Sequence, residues 1–297
     1  MTTVGIDCGR DLVTAVSVDE RGQVMARATK SIEGDPAAAA RAALRDVRTA
    51  GADAAAGGVG VTLPFQGDEL SGAISAVVAE ETGAAPVPVK EGHALALGEA
   101  WCGAASGCTD VAAFAIGEHV TAGILVSGRL LKGANGHAGS VAWLALNPVE
   151  REDYRRYGGL EAEIGAAGIV RRLVWRIKSG DDSRVVDRVN GELSRLTSDD
   201  VFAAARTGDG VCISVVRDTA KYVGMAIANL ATICDPECVV LGGTLAASGD
   251  LMLDAIRTEF SRRLRPAQGT RIRVVLSTLG DEAGAIGAAR AALLERP

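Results

Sequence analysis

One kind of hairpin occurs twice in this chain, and that recurrence constrains the fold more than any single motif. "GRDLVTAVSVDERGQV" begins at Gly9 and "GEHVTAGILVSGRL" at Gly117. Each has a glycine turn, then Val-Thr-Ala, a β run and a second glycine-containing turn. Two Gly-rich hairpins can converge by chance. As a duplication, the pair means two similar lobes, each presenting a hairpin loop to a shared cleft. A chain of 297 residues suits one large domain or two such lobes.

Around the hairpins, strands alternate with helices, which argues for α/β architecture. Val4–Cys8, Leu12–Val18 and Gln23–Ala28 read as strands around glycine turns. Asp35–Ala50 reads as an Ala-rich helix with Asp35 as cap and Pro36 in its first turn. Ala56–Val61 reads as a buried strand running into a Pro64 loop. Leu70–Thr82 is a predicted helix, Val87–Val89 a short strand, and Ala94–Cys102 a helix behind a Lys90–His93 turn. Asp110–Ile116 and Val120–Val126 are the strands of the second hairpin, and Ser127–Leu131 turns into a third. "NPVEREDYRRYGGLE", residues 147–161, is polar and loop-like. Beyond it the pattern predicts helices over Glu161–Lys178, Thr197–Arg206, Val211–Cys234, Gly249–Leu264 and Ala283–Glu295. Strands are predicted at Val239–Leu241 and Arg271–Leu276.

Hydrophobic residues make up 48% of the chain and charged residues 23%, so a substantial core forms and global disorder is excluded. The 37 glycines and 3% aromatic content favour tight turns and close helix–strand packing. A net charge of −6 and the lack of a basic run argue against nucleic-acid binding. The six cysteines, Cys8, Cys102, Cys108, Cys212, Cys234 and Cys238, form no CxxC pair. Neither a disulfide framework nor a zinc knuckle is indicated, and a reducing cytosol fits. The segment MTTVGID enters a strand with no signal-peptide pattern, and no apolar run is long enough to span a membrane. The expectation is a soluble cytoplasmic protein.

"VGIDCG", "KEGHALALGE", "GRLLKGANGHAGS", "GGLEAE", "DPECVVLGGTLA" and "LGDEAGAIGAARAALL" occur in that order. With them the whole chain resembles the ROK family of repressors, open reading frames and sugar kinases. The resemblance implies the two-lobed, duplicated actin/hexokinase/Hsp70-like (ribonuclease H-like) α/β fold, with an interlobe cleft for sugar and ATP. It implies a smaller lobe of residues 1–115 plus 283–297 and a larger one of residues 116–282, paired as a homodimer.

The resemblance also assigns roles, and this chain departs from several. Family kinases carry Asp-x-Gly-Gly-Thr-Lys in the first phosphate hairpin. Here Asp7 and Gly9 are kept, with Asp7 the expected Mg²⁺-water contact, but Arg10, Asp11 and Leu12 follow. Glycine lets backbone approach phosphate, whereas an aspartate repels it, and Arg10 is the candidate replacement charge. In place of Gly-Thr-Gly-x-Gly-Gly-Gly, the second hairpin reads Gly117-Glu118-His119-Val120-Thr121-Ala122-Gly123. Gly117 and Thr121 are its candidate phosphate contacts, and Glu118 is unfavourable there. Gly242, Gly243 and Thr244 match the adenosine-side turn.

For the base, Lys90 and Glu91 stand where the family has Asn-Asp. Glu91 is the candidate general base, although ~1 Å of misplacement can cost ~100-fold. Lys90 suits an anionic ligand or a partnership with Glu91. On the sugar side only Glu161 is kept; Ser140 replaces a carboxylate. Trp143 stands at a zinc-ligating His position, as a packing residue of the core or cleft wall or as a ring that stacks on ligand. His137 is a further candidate substrate contact. Gly159 occupies one position of the missing cysteine cluster, so no structural zinc is expected. His93, His119 and His137 all fall in segments around the family cleft. With Glu91 and Glu118 they could form a new metal or acid–base site, although ordinary polar roles are the simpler reading.

Two functions of different class follow. One is an ATP- and Mg²⁺-dependent kinase of a sugar or sugar-like hydroxyl. The other is a catalytically impaired binder of a carbohydrate-like or anionic small molecule, signalling through a partner. A different enzyme in a recycled cleft ranks below both. Family repressors carry a helix–turn–helix ahead of the first strand; this chain begins its strand at residue 4, so direct DNA binding is not expected.

Overall fold

The computed structural model describes residues 2–50, 57–63 and 68–295. Ala56 and the Pro64 loop therefore lie outside the described residues. β1 (Thr3–Cys8), β2 (Leu12–Val18) and β3 (Val24–Ser31) form an antiparallel meander. β4 (Val59–Thr62) adds parallel to β1, and β5 (Val87–Val89) parallel to β4, giving the order β3-β2-β1-β4-β5. A second sheet is built from β6 (Val111–Ile116), β7 (Val120–Val126), β8 (Arg129–Leu130), β9 (Cys238–Gly242) and β10 (Arg273–Leu276). Its order, β8-β7-β6-β9-β10, repeats the first sheet strand for strand. The duplication suggested by the two hairpins is thus present in the topology.

Burial follows sheet position. β1 and β4 are covered on both faces and read as near-continuous apolar runs, whereas β3 alternates at the edge. α1 (Pro36–Thr49) starts where Asp35 Oδ1 accepts from Ala37 N at 2.9 Å, a cap worth about 1 kcal/mol. It buries Ala37, Ala40, Ala43, Leu44 and Val47 against the meander. α2 (Asp68–Thr82) packs beside it. α3 (Glu91–Cys102) packs against the last long helix, Ala283–Leu294, which itself packs onto β1 and β4. That contact is nearly backbone to backbone: a Cβ on Gly5 would fall 1.8 Å from the Ala285 carbonyl oxygen, and one on Gly60 1.8 Å from that of Ala288.

The remaining helices are α4 (Glu152–Tyr157), α5 (Glu161–Ile164), α6 (Ala166–Lys178), α7 (Val185–Arg188), α8 (Ser198–Arg206), α9 (Gly210–Cys234), α10 (Gly249–Arg263), α11 (Pro266–Gly269) and α12 (Ala283–Leu294). α7 and α11 fall where the sequence pattern predicts no helix, and three further segments differ from expectation. The Lys90–His93 turn is the start of α3, with Lys90 as an extended N-cap (φ −74°, ψ 146°). The polar stretch 147–161 contains α4. The helix expected over Glu161–Lys178 breaks at Gly165, whose extended backbone (ψ 157°) separates α5 from α6.

By compactness the chain divides into Met1–Ala113, Ala122–Lys132 and Ser277–Pro297 as one unit, and Phe114–Thr121 with Gly133–Leu276 as the other. Among the described residues no helix is long and apolar enough to cross a membrane.

Candidate functional site

In the first unit, Asp7 stands one residue before the end of β1, its carboxylate accepting from the Thr62 hydroxyl of β4. The N-terminal turn of α12 reaches it, and a Cβ on Gly284 would lie 2.5 Å from the carboxylate. Burial pushes the Asp7 pKa above its usual value; the Thr62 hydrogen bond opposes this and the charge of Asp281 adds to it. Hard oxygen donors carrying an incompletely compensated charge suit Mg²⁺ held through water, so the residues present fit that ion. Burial, with the charge of Asp7 beside it, also pushes the Cys8 thiol up to about 12, which leaves it an inert packing group. After Cys8 the turn is tight: Gly9 N donates to Leu12 O at 3.0 Å, and Arg10, Asp11 and Leu12 are exposed.

Glu91 is the first residue of α3 and is exposed, while Gly92 and His93 behind it are buried. Gly92 seats the helix on β7: its Cβ would lie 2.5 Å from the Ala122 carbonyl carbon. Glu91 therefore stands at the end of a helix whose position is set by backbone contact. Lys90 precedes it, half-buried. At the other end of α3, buried Glu99 accepts from Ala104 N at 2.7 Å and from the amides of Thr278 and Leu279 at 3.1 and 3.2 Å.

In the second unit, the Gly117–Val120 hairpin is tied down by its own protein. Glu161 Oε2 accepts from Val120 N at 2.8 Å, Glu161 Oε1 lies 3.4 Å from His119 Nδ1, and Ala166 N donates to Gly117 O at 3.0 Å. Glu161 is thus brought to the hairpin, a contact that spacing alone did not suggest. Glu118 is exposed, whereas the Thr121 hydroxyl is buried and makes no hydrogen bond. Gly243 (φ 73°) follows β9, and a Cβ there would meet the Ile116 carbonyl oxygen at 2.5 Å, so the Gly242-Gly243 turn lies directly on the start of the second hairpin. The Thr244 side chain lies outside the described residues.

The sugar-motif stretch is also assembled. Ser140 N donates to His137 O at 3.2 Å, and Leu160 N to Ala142 O at 2.9 Å, which draws Gly158–Glu161 onto Ala138–Trp143. His137 is exposed and Ser140 half-buried. Trp143 is 58% exposed, which corrects the expectation of core packing and leaves its ring face available to a ligand. Of the three histidines, His93 is buried on α3, His119 meets Glu161 and His137 stands in its own loop. Among the described residues no group of three or more His, Cys, Asp or Glu side chains is arranged to hold a metal ion.

Sequence reasoning passed over Thr62, Gly284, Glu99 and Glu163. The last three lie inside stretches that carried the family resemblance, and that was the only signal available for them.

A profile of the ROK family matches residues 74–295, and the chain belongs to that family. It is 34% identical over 212 residues to a glucokinase of Halalkalibacterium halodurans, covering 70% of this chain and 63% of that one. It is 29% identical over 203 residues to a xylose repressor of Caldicellulosiruptor bescii, covering 66% of this chain and 49% of the repressor. These matches span less than two thirds of each relative's length. Along almost its whole length the fold matches a ROK family glucokinase from Streptomyces griseus crystallised with glucose and AMPPNP. The TM-score is 0.79 and the identity 25%, with 97% of this chain and 98% of that one covered. The fold is the two-lobed one of the ROK hexokinases.

Proposed function

We propose that this chain is an ATP-dependent kinase that phosphorylates a hydroxyl of a sugar or sugar-like molecule. Asp7 carries the reading: a half-buried carboxylate near the end of β1, with Asp281 adding like charge, is costly unless a cation shares the site. The full-length likeness to a glucokinase crystallised with glucose and AMPPNP supports it. When bound, Mg²⁺ held through water by Asp7 would offset the negative charge that develops during phosphoryl transfer.

In this reading Glu91 accepts the proton of the attacking hydroxyl, and Asp7 orients water around the ion. Gly9 and Arg10 on one hairpin, and Gly117 and Thr121 on the other, face the phosphates. Gly242, Gly243 and Thr244 take the adenosine. Lys90, His137, Ser140, Trp143 and Glu161 contact the acceptor. Lobes of residues 1–115 with 283–297 and of residues 116–282, a homodimer and a cytoplasmic location belong to the same reading.

A second reading has its own support. Asp11 and Glu118 place negative charge on both hairpins, and Glu161 takes up the Val120 amide. A binder that senses a carbohydrate-like ligand and acts through a partner would tolerate both. Calorimetric titration with Mg²⁺ and a non-hydrolysable ATP analogue separates the two. Micromolar binding, followed by turnover with some member of a sugar and cyclitol panel, is the expected result. No heat up to millimolar nucleotide removes the kinase.

A further inference from the structure

A compact ionic cluster in the second unit is used by nothing described so far. Its centre is Glu163, on α5, with a side chain 4% exposed. The Tyr154 hydroxyl of α4 donates to Glu163 Oε1, Arg151 Nη1 donates to the same oxygen at 3.2 Å, and Arg172 Nε of α6 lies 3.8 Å from Oε2. Arg151 and Arg171 each pair with Asp153 at 2.8 Å, and Arg171 also donates to the Ala162 carbonyl oxygen within α5. Burial, with the Glu163 hydrogen bond adding to it, pushes the Tyr154 pKa up, so its hydroxyl stays a proton donor across the physiological range.

α5 is a single turn, too short to hold its own position. Two neighbouring elements hold it through charge: α4 and α6 on Glu163, and α6 again on the Ala162 carbonyl. Two residues before Glu163 stands Glu161, whose carboxylate accepts from the Val120 amide in the second hairpin. One residue before that, Leu160 N donates to Ala142 O in the Ala138–Trp143 stretch. The orientation of α5 therefore decides where the Glu161 carboxylate meets both the hairpin and the sugar-motif stretch.

We propose that Glu163 is a positioning residue: clamped by Tyr154, Arg151 and Arg172, it holds α5 so that Glu161 engages the Val120 amide and lies against the Ala138–Trp143 stretch. In catalytic terms this rests on the kinase reading, with Glu161 as an acceptor contact. In structural terms it stands without it. A buried charge satisfied from several sides costs desolvation but fixes one geometry, and that geometry is its use here.

Amide hydrogen exchange at Val120 in the full chain is the test. Glu163→Gln removes the charge at constant shape, and Tyr154→Phe removes one hydrogen bond. Glu259→Gln is the control: Glu259 is also buried and pairs with Arg262 and Arg263 on α10 rather than with α5. Val120 exchange should rise tenfold or more in Glu163→Gln, several-fold in Tyr154→Phe, and not at all in Glu259→Gln beyond its loss of global stability. If Glu163→Gln fails to fold, Tyr154→Phe carries the test. Unchanged Val120 protection in a folded Tyr154 or Glu163 variant overturns the proposal, whatever the enzyme's activity. In an enzyme with measurable turnover, the acceptor KM should rise several-fold in Glu163→Gln and stay unchanged in Glu259→Gln. A fall confined to kcat in both variants overturns the catalytic half alone. If no turnover is found with any acceptor, the kinase reading falls and the exchange result still decides the positioning.

Discussion

The two hairpins begin from one plan and end in different states. At the first, the turn is closed by its own backbone, Gly9 to Leu12, and its tip of Arg10, Asp11 and Leu12 is exposed. At the second, the Val120 amide is taken by Glu161, His119 is held by the same carboxylate, and Gly117 O receives the Ala166 amide. Phosphate is cradled by backbone N–H groups that have no other partner. The first hairpin exposes its tip residues, with Arg10 where family kinases have a second glycine and Asp11 where they have threonine. The second has turned one such amide into an internal contact. Nucleotide affinity, where it exists, is therefore expected to come mainly from the first hairpin, Asp7 and the Gly242-Gly243 turn.

Substitutions can break this contrast or sharpen it. The largest effect is expected from Glu91→Gln, which should lower turnover by at least ~100-fold with nucleotide binding intact, as measured by steady-state kinetics and calorimetry. Loss of binding instead would mean that Glu91 is part of the nucleotide site. Next in size is Gly243→Ala. A β-carbon there meets the Ile116 carbonyl at a positive φ, so chemical denaturation should show a loss of about 2–4 kcal/mol, with the second hairpin loosened first. Charge removal at the tips compares the hairpins directly. Asp11→Asn should tighten Mg²⁺-nucleotide binding by about three- to tenfold, and Glu118→Gln by less than half that. Equal gains would show that both hairpins face the phosphates equally.

The smallest effect concerns Asp7 and pH. Its pKa is raised in the folded state, so the stability linked to its protonation is fully present below the unfolded value and is lost as pH rises through the folded one. Asp7→Asn should therefore raise Tm at neutral pH by about 2 °C or more, and the gain should vanish in acid. A lower Tm at neutral pH would mean that the carboxylate is compensated within the fold.

Much of this was legible in the sequence where local chemistry decides conformation. β2, β5 and β7 lie where β-branched runs and glycine turns placed them, and Asp35-Pro36 opens α1 as its cap chemistry requires. The repeat of Val-Thr-Ala hairpins anticipated the repeat of sheet order. The start of α3 was not legible, because Gly92–Glu99 is buried on every side and carries no polar face to mark a helical period. The break at Gly165 needs a backbone angle that no composition announces. α4 hides in a stretch of charges whose partners, Glu163 and Arg171, lie elsewhere in the sequence. The site was legible as positions and not as contacts. Asp7 and Glu91 stand at element ends as their motifs imply, but the tie between Glu161 and Val120 joins residues 41 apart and follows from tertiary packing alone.

The backbone-close seat of α12 on β1 and β4 also bears on how the chain is made. β1 leaves the ribosome long before the helix that covers it, Ala283–Leu294. Until that helix emerges, the first sheet has one oily face bare, lined with glycines that leave its backbone open. A chain stalled or clipped ahead of Ala283 should therefore lean on chaperones and be a clumping hazard rather than a working fragment.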